Sequence, residues 1–207
     1  VIRSSAINPT DGRLSSFRSA SVKIYKRGDF LAEYSKNFKT VAIVGSHGKT
    51  TTTGLLSWAL RQNKFEFSYL AGGRFKDDVL PIGNFQDSPW LVVEVDESDG
   101  TIEKFTPDIT VVLNYDWDHV DQYEVAGSLQ ESLQDLLGRT KIGAVLPENS
   151  DLLKWAKEKL DLKISSFANQ KEAADFMISN QSASDCCASM MGVELNGVSF
   201  EEFPGME

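Results

Sequence analysis

Short runs of β-branched and apolar residues recur along the chain: TVAIVG (40–45), FEFSYLAGG (65–73), WLVVEV (90–95), DITVVL (108–113), IGAVLP (142–147) and LKISSF (162–167). Most read as continuous apolar stretches rather than as alternating ones, which is the pattern of strands buried on both faces. Segments with helical spacing lie between them. Thr50 to Gln62 predicts a helix that buries Leu55, Leu56, Ala59 and Leu60. Val125, Leu129, Leu133, Leu136 and Leu137 share one helical face, with Gly138 as the stop. Ser150 or Asp151 caps a helix carrying Leu152, Leu153, Ala156 and Leu160. Strands that alternate with helices predict an α/β fold, a mainly parallel sheet with helices on both faces. The ends are less regular. VIRSSAI (1–7) reads as a short strand and DFLAEYSKNF (29–38) as a helix starting near Asp29. Ser184 to Met191 reads as a helix with Ala183, Cys187 and Met190 or Met191 inward.

The balance of 21 basic against 30 acidic residues, a net charge of −9, argues against a general nucleic-acid binder, which needs a basic surface. No apolar run approaches the roughly 18 residues of a membrane helix. Cys186 and Cys187 are adjacent and are the only cysteines, neither a disulfide framework nor a zinc set. The expectation is a cytoplasmic protein with no nucleic-acid or membrane partner. No signal peptide opens the chain, and it begins at Val1 rather than Met, so its true start is expected upstream.

Three stretches carry candidate chemistry, and each leaves a predicted strand. The first is VAIVGSHGKTTTTGLL (41–56). The common phosphate loop, G-x-x-x-x-G-K-[ST], requires a glycine where this chain has Ile43; the nearest upstream glycine is Gly45. Amides at a helix start are unpaired and favour anions, and glycines let a phosphate approach the backbone. Lys49 can neutralise phosphates and the Thr50 hydroxyl can hold Mg²⁺. The bland alternative is a strand-to-helix turn with an ordinary surface lysine. On either reading Lys49 sits at a helix start, where alanine is tolerated, so Lys49→Ala is expected to leave the fold intact and change stability by less than about 1 kcal/mol. The second stretch is LVVEVDESDG (91–100), where Glu94 interrupts an apolar strand. A carboxylate there needs a cation or a hydrogen-bond network. A solvated acidic loop fits Glu97 and Asp99 better than it fits Glu94. The third is VVLNYDWDHVDQY (111–123), with Asn114, Asp116, Asp118, His119 and Asp121. His119 and His47 are the only histidines, and both fall in strand-exit loops. Open α/β sheets bind ligands at the carboxyl ends of their strands, so the loop, Glu94 and His119 are expected to meet at one edge. Such a constellation around Mg²⁺-nucleotide describes a phosphoryl-transfer site.

Together these motifs resemble the Mur ligase family, ATP-dependent amide ligases of bacterial cell-wall precursors. The family's short loop, G-x-x-G-K-[ST], is matched by Gly45-Ser46-His47-Gly48-Lys49-Thr50. The histidine before Gly48, the four threonines, EVDESDG and NYDWDHVDQY are most similar to the branch that joins L-alanine to UDP-N-acetylmuramate. The resemblance is close over residues 40–125. It implies a P-loop NTPase-like central domain in which ATP phosphorylates the muramyl carboxylate and the amine displaces phosphate. It implies ATP contacts at Gly45, Ser46, His47, Gly48, Lys49, Thr50 and Thr51. Metal ligands would be Thr50, Glu94 and His119, with Lys49 and His119 in the catalytic set.

The resemblance further implies that 1–38 is the end of an N-terminal UDP-binding domain with its linker. It makes 39–207 the central ATP-binding domain, leaves the C-terminal domain absent, and reads FEEFPGME as the segment entering it. Strand sequence usual in the family is missing between Asn180 and Gln181, where a break in the chain is expected. The related branch that reattaches recycled murein tripeptide stays open, with Ser98 leaning toward the alanine branch. A P-loop switch or plain ATPase would carry the longer loop. A silent binding module would not be expected to keep Lys49, Thr50, Glu94 and His119.

Overall fold

The computed structural model describes residues 1–4, 6–75, 80–97, 100–115, 127–148, 150–169, 176–180, 190–195 and 198–204. Near the start, β1 (Ile2–Arg3) pairs in parallel with β2 (Tyr25–Lys26), with a short helix α1 (Ser15–Ser19) between them. The main body follows: α2 (Arg27–Ser35), β3 (Lys39–Val44), α3 (Lys49–Gln62), β4 (Ser68–Leu70), β5 (Gly83–Asn84), β6 (Trp90–Glu94) and β7 (Ile109–Val112). Next come α4 (Gly127–Arg139), β8 (Gly143–Pro147), α5 (Asp151–Lys159), β9 (Lys163–Asn169), β10 (Phe176–Asn180), β11 (Met190–Leu195) and β12 (Val198–Pro204).

Among the described residues the main sheet runs β12-β11-β10-β9-β8-β7-β3-β6-β4-β5. The stretch from β4 to β10 is parallel, and β5, β11 and β12 add antiparallel edges. The α/β reading is therefore borne out. β3 lies between β6 and β7, both later in sequence. The chain thus winds one way and then the other around β3, and the exits of β3, β6 and β7 share one edge.

Alternate residues of each strand feed two cores. On one face Ala42, Val44, Leu91, Val93, Val112, Ala144 and Leu146 meet Ala32 of α2, Leu133, Leu136 and Leu137 of α4, and Leu152, Leu153 and Ala156 of α5. On the other face Ile43, Tyr69 and Val92 lie with Phe67, Phe75 and Leu80 under α3. Ser150 caps α5 as expected, its hydroxyl accepting from the Leu153 amide at 3.1 Å.

Several expectations need correction. The residues of α3 that are fully covered are Thr53, Gly54 and Ser57, whereas Leu55, Leu56, Ala59 and Leu60 are only half-buried. The loop between β3 and α3 is short, so the helix crosses β3 and β6 at close range. Small residues fit that contact and the larger ones flank it. Gly138 does not stop α4, which continues to Arg139. There the Arg139 guanidinium donates to the carbonyls of Phe105 (3.0 Å) and Ile102 (3.1 Å). The Thr140 hydroxyl donates to Leu136 O at 3.0 Å and pairs with the Thr110 hydroxyl at 2.6 Å. Both groups anchor the helix end without glycine.

The strands expected over 1–7 and 65–73 shrink to β1 and β4, because their neighbours pair only over those residues. Met190 and Met191 belong to strand β11, not to a helix, since β12 supplies a pairing partner. The remainder of that expected helix, including Cys186 and Cys187, lies outside the described residues, as do Val125 and Gln181 with the break expected before it. No described helix is long and apolar enough to cross a membrane.

Close packing of α3 is testable at Ser57, which is 0% exposed and whose hydroxyl has no hydrogen-bond partner. Ser57→Leu should lower unfolding free energy by about 1–3 kcal/mol through overpacking. Ser57→Ala should be neutral or stabilising by up to about 1 kcal/mol, because it removes an unpaired buried hydroxyl. Urea midpoints of the two variants check both signs.

Candidate functional site

The site begins where β3 hands over to α3. Gly45 has φ +142° and Gly48 has φ +80°, backbone conformations that favour glycine. A Cβ at Gly45 would also stand 2.9 Å from the carbonyl oxygen of Asn114. Gly48 is the N-cap of α3 and offers no side-chain cap. The first amides of a helix lack intrahelical partners, so this end is suited to an anion.

Asn114, just past β7, fixes the loop from the side. Its carbonyl accepts from Ser46 N at 3.3 Å, its side-chain oxygen accepts from His47 N at 2.9 Å, and its side-chain amide donates to His47 O at 3.1 Å. Residues 45–48 are thus held in shape by the neighbouring strand exit.

The next two side chains meet the carboxylates that follow β6. Thr50 donates its hydroxyl to Glu94 Oε2 at 2.7 Å. This partner answers the expected cost of a carboxylate at the end of an apolar strand. Gly72, just beyond β4, makes room for it: a Cβ there would overlap the Glu94 carboxylate. Lys49 Nζ donates to Gly45 O at 2.6 Å and to Glu97 Oε1 at 3.0 Å, with Glu97 Oε2 also 3.0 Å away. The Lys49 side chain is 18% exposed and that of Glu97 only 5%.

Two expectations therefore change. Glu97 is not a solvated loop residue but the buried partner of Lys49. Lys49 is correspondingly not an ordinary surface lysine, and alanine there would strand a buried carboxylate. Gly45, Ser46, His47, Gly48, Lys49, Thr50, Thr51 and Glu94 do come together at one sheet edge. His119 lies outside the described residues, as does Asp99. Among the described residues no group of three or more His, Cys, Asp or Glu side chains is placed to hold a metal. The Thr50 hydroxyl and Glu94 carboxylate are nevertheless a pair of hard oxygen donors of the kind Mg²⁺ uses.

Glu97 and Asn114 lie in the candidate stretches, but the sequence assigns neither a site role. Asn114 carried a signal in hindsight: an asparagine at a strand exit can both donate and accept to an adjacent loop. The burial of Glu97 had no local signal, since it depends on Lys49 arriving from 48 residues earlier.

A strand, a glycine-bearing loop and a helix, flanked by parallel strands, make this a P-loop NTPase-like domain. The sequence matches the Mur ligase middle domain over residues 43–202. The chain belongs to the Mur ligase family. It is 33% identical over 191 residues to the UDP-N-acetylmuramate–L-alanine ligase of Dictyoglomus turgidum, covering 89% of this chain and 41% of that protein. Its fold is similar to the UDP-N-acetylmuramate-alanine ligase MurC of Thermotoga maritima. The TM-score is 0.72 at 22% identity, over 94% of this chain and 43% of that one. It is also similar to the MurF ligase of Thermotoga maritima in complex with ADP, with TM-score 0.64 and 19% identity over 96% and 54% of the two chains. The chain spans less than half the length of the curated relatives it matches.

The role of Asn114 as a brace gives a stability prediction. Asn114→Leu removes these partners from the exposed His47 amide and carbonyl and should lower unfolding free energy by about 0.5–1.5 kcal/mol. Urea unfolding measures the loss, and an unchanged midpoint would show that the loop holds its shape unaided.

Proposed function

We propose that the chain supplies the nucleotide-binding part of an ATP-dependent ligase. The reaction joins L-alanine to the carboxylate of UDP-N-acetylmuramate in peptidoglycan precursor synthesis. The observation that carries this reading is the convergence of Lys49 and Thr50 at the start of α3 with the Glu94 carboxylate from the next strand. The family match and the alanine-ligase relatives support the chemistry, and the ADP of the MurF structure supports the nucleotide.

In this reading residues 39–207 are the ATP-binding domain, which the family match over 43–202 supports, and residues 1–38 end a UDP-binding domain and linker. The backbone of Gly45, Ser46, His47 and Gly48, with the first turn through Thr51, cradles the phosphates. Lys49 donates to the phosphoryl group as it moves to the muramyl carboxylate, where charge on its oxygens is greatest. Preorganised donors of this kind act without reorganisation at the moment of reaction. Thr50 and Glu94 would hold Mg²⁺, with His119 as a further ligand and member of the catalytic set. When bound, the ion supplies charge neutralisation across the phosphate oxygens. The amine of L-alanine then attacks the activated carboxyl carbon and phosphate leaves. Two adjacent cysteines with no disulfide framework fit a reducing compartment, and we place the enzyme in the cytoplasm.

Two outcomes test the reading. In the full-length enzyme, Lys49→Ala should slow ligation about a hundredfold or more, on the scale of losing one transition-state donor. It should also cost about 1–3 kcal/mol of stability, because Glu97 loses its partner. Lys49→Ala combined with Glu97→Ala should regain most of that stability and none of the rate. Near-normal turnover in a folded Lys49→Ala protein would remove the lysine from the mechanism. Separately, the 207-residue polypeptide alone should bind Mg²⁺-ATP weakly and form no amide, since orienting the reactants is worth roughly 7–11 kcal/mol and draws on more protein than this. Amide product from ATP, Mg²⁺, UDP-N-acetylmuramate and L-alanine would overturn that expectation.

A further inference from the structure

Resting on the nucleotide reading above, we propose that Glu97 makes the phosphate loop selective for metal-bound nucleotide over free polyphosphate. An ammonium group has three donors. Two of those of Lys49 go to Gly45 O (2.6 Å) and Glu97 Oε1 (3.0 Å), and Glu97 Oε2 also stands 3.0 Å from the ammonium as its ion-pair partner. The lysine that would greet a phosphate is therefore already engaged by the protein's own anion.

Lys49 contributes +1, while Glu94 and Glu97 contribute −1 each, so these three groups sum to −1. Glu97 is 5% exposed and cannot be screened by water as a surface carboxylate would be. A metal-free polyphosphate thus meets a loop whose lysine is neutralised and whose neighbouring carboxylate repels it. A divalent cation held by Thr50 and Glu94 would bring the same groups to +1 and favour the polyphosphate. Glu94 alone cannot create this contrast: with only Lys49 beside it the sum is zero without metal. Among these three groups Glu97 is the one that sets the sign.

Glu97 also sits where it can act without being a metal ligand itself. The Glu94 carboxylate is the one hydrogen-bonded to Thr50, whereas that of Glu97 faces the lysine. Its role is to determine specificity through Lys49, and we assign it no contact with the reacting atoms.

The test is calorimetric titration of the purified protein with ADP, once with Mg²⁺ and once with a chelator. Wild-type protein should bind Mg²⁺-ADP and bind free ADP at least about tenfold more weakly. Glu97→Gln should bind free ADP about tenfold more tightly than wild type, with a smaller change for Mg²⁺-ADP, so that the ratio collapses. Glu97→Asp keeps the charge and should retain the wild-type ratio, which a merely structural role for the longer side chain would not predict. If Glu97→Gln does not fold, Glu97→Ala, which admits water beside Lys49, reads the same ratio. A Glu97→Gln protein that binds free ADP no better than wild type overturns the proposal while leaving the nucleotide site intact. Wild-type protein that binds neither form overturns the nucleotide reading itself.

Discussion

The parallel register of β3 with β6 and β7 governs the geometry of the whole site. Ile43 lies opposite Glu94 on one side and opposite Val111 on the other. Two residues after Ile43 the chain turns at Gly45, and at the matching height β6 ends in Glu94 and β7 leads into Asn114. A strand's side chains alternate faces, so slipping β6 by one residue would turn Glu94 away from Thr50 and expose Val93 in its place. That slip is opposed by Val93 and Leu91, which are fully buried on one face, and by Val92, buried on the other. Hydrophobic burial on both faces thus fixes the position of a carboxylate at the strand's end.

The same sheet dictates how α3 lies. A loop too short to swing the helix outward delivers α3 close above β3 and β6, and the contact is made by Thr53, Gly54 and Ser57. Leu56, Trp58 and Leu60 pack around this contact against Phe67, Tyr69 and Phe75. The short glycine loop and the small-residue face belong together. A longer loop would allow a conventional leucine face, but it would also move the start of the helix away from Glu94.

The fold was legible in the sequence where burial on both faces leaves an apolar run, as in residues 40–45, 90–95, 108–113 and 142–147. It was less legible where pairing, rather than composition, decides the structure. FEFSYLAGG is rich in aromatic and apolar residues, yet only Ser68–Leu70 find strand partners, between β6 and β5. MMGVEL suits helix or strand by local preference, and β12 decides for strand. At the site, the loop, Thr50 and Glu94 were readable because their chemistry is local to a strand exit. The Lys49–Glu97 pair was not, because a carboxylate in an acidic stretch reads as solvated until a distant cation is seen to cover it.

That pair also explains how a site with so much charge can belong to a stable domain. Removing charges from water is costly, and their mutual attraction offsets the cost only where geometry and extra hydrogen bonds are good. Here the geometry is good but the pair adds little by itself. Stability comes from the two apolar cores on either side of the sheet, and Lys49 and Glu97 chiefly avoid being left alone. On the proposed reading, an anion that drew Lys49 away would have to bring its own counter-charge, because Glu97 is costly to leave alone. The lysine is thereby directed at the loop carbonyl of Gly45. The interaction that makes Lys49 tolerable in the partly buried site is also, on the proposed reading, the one that would keep it in position for a phosphate.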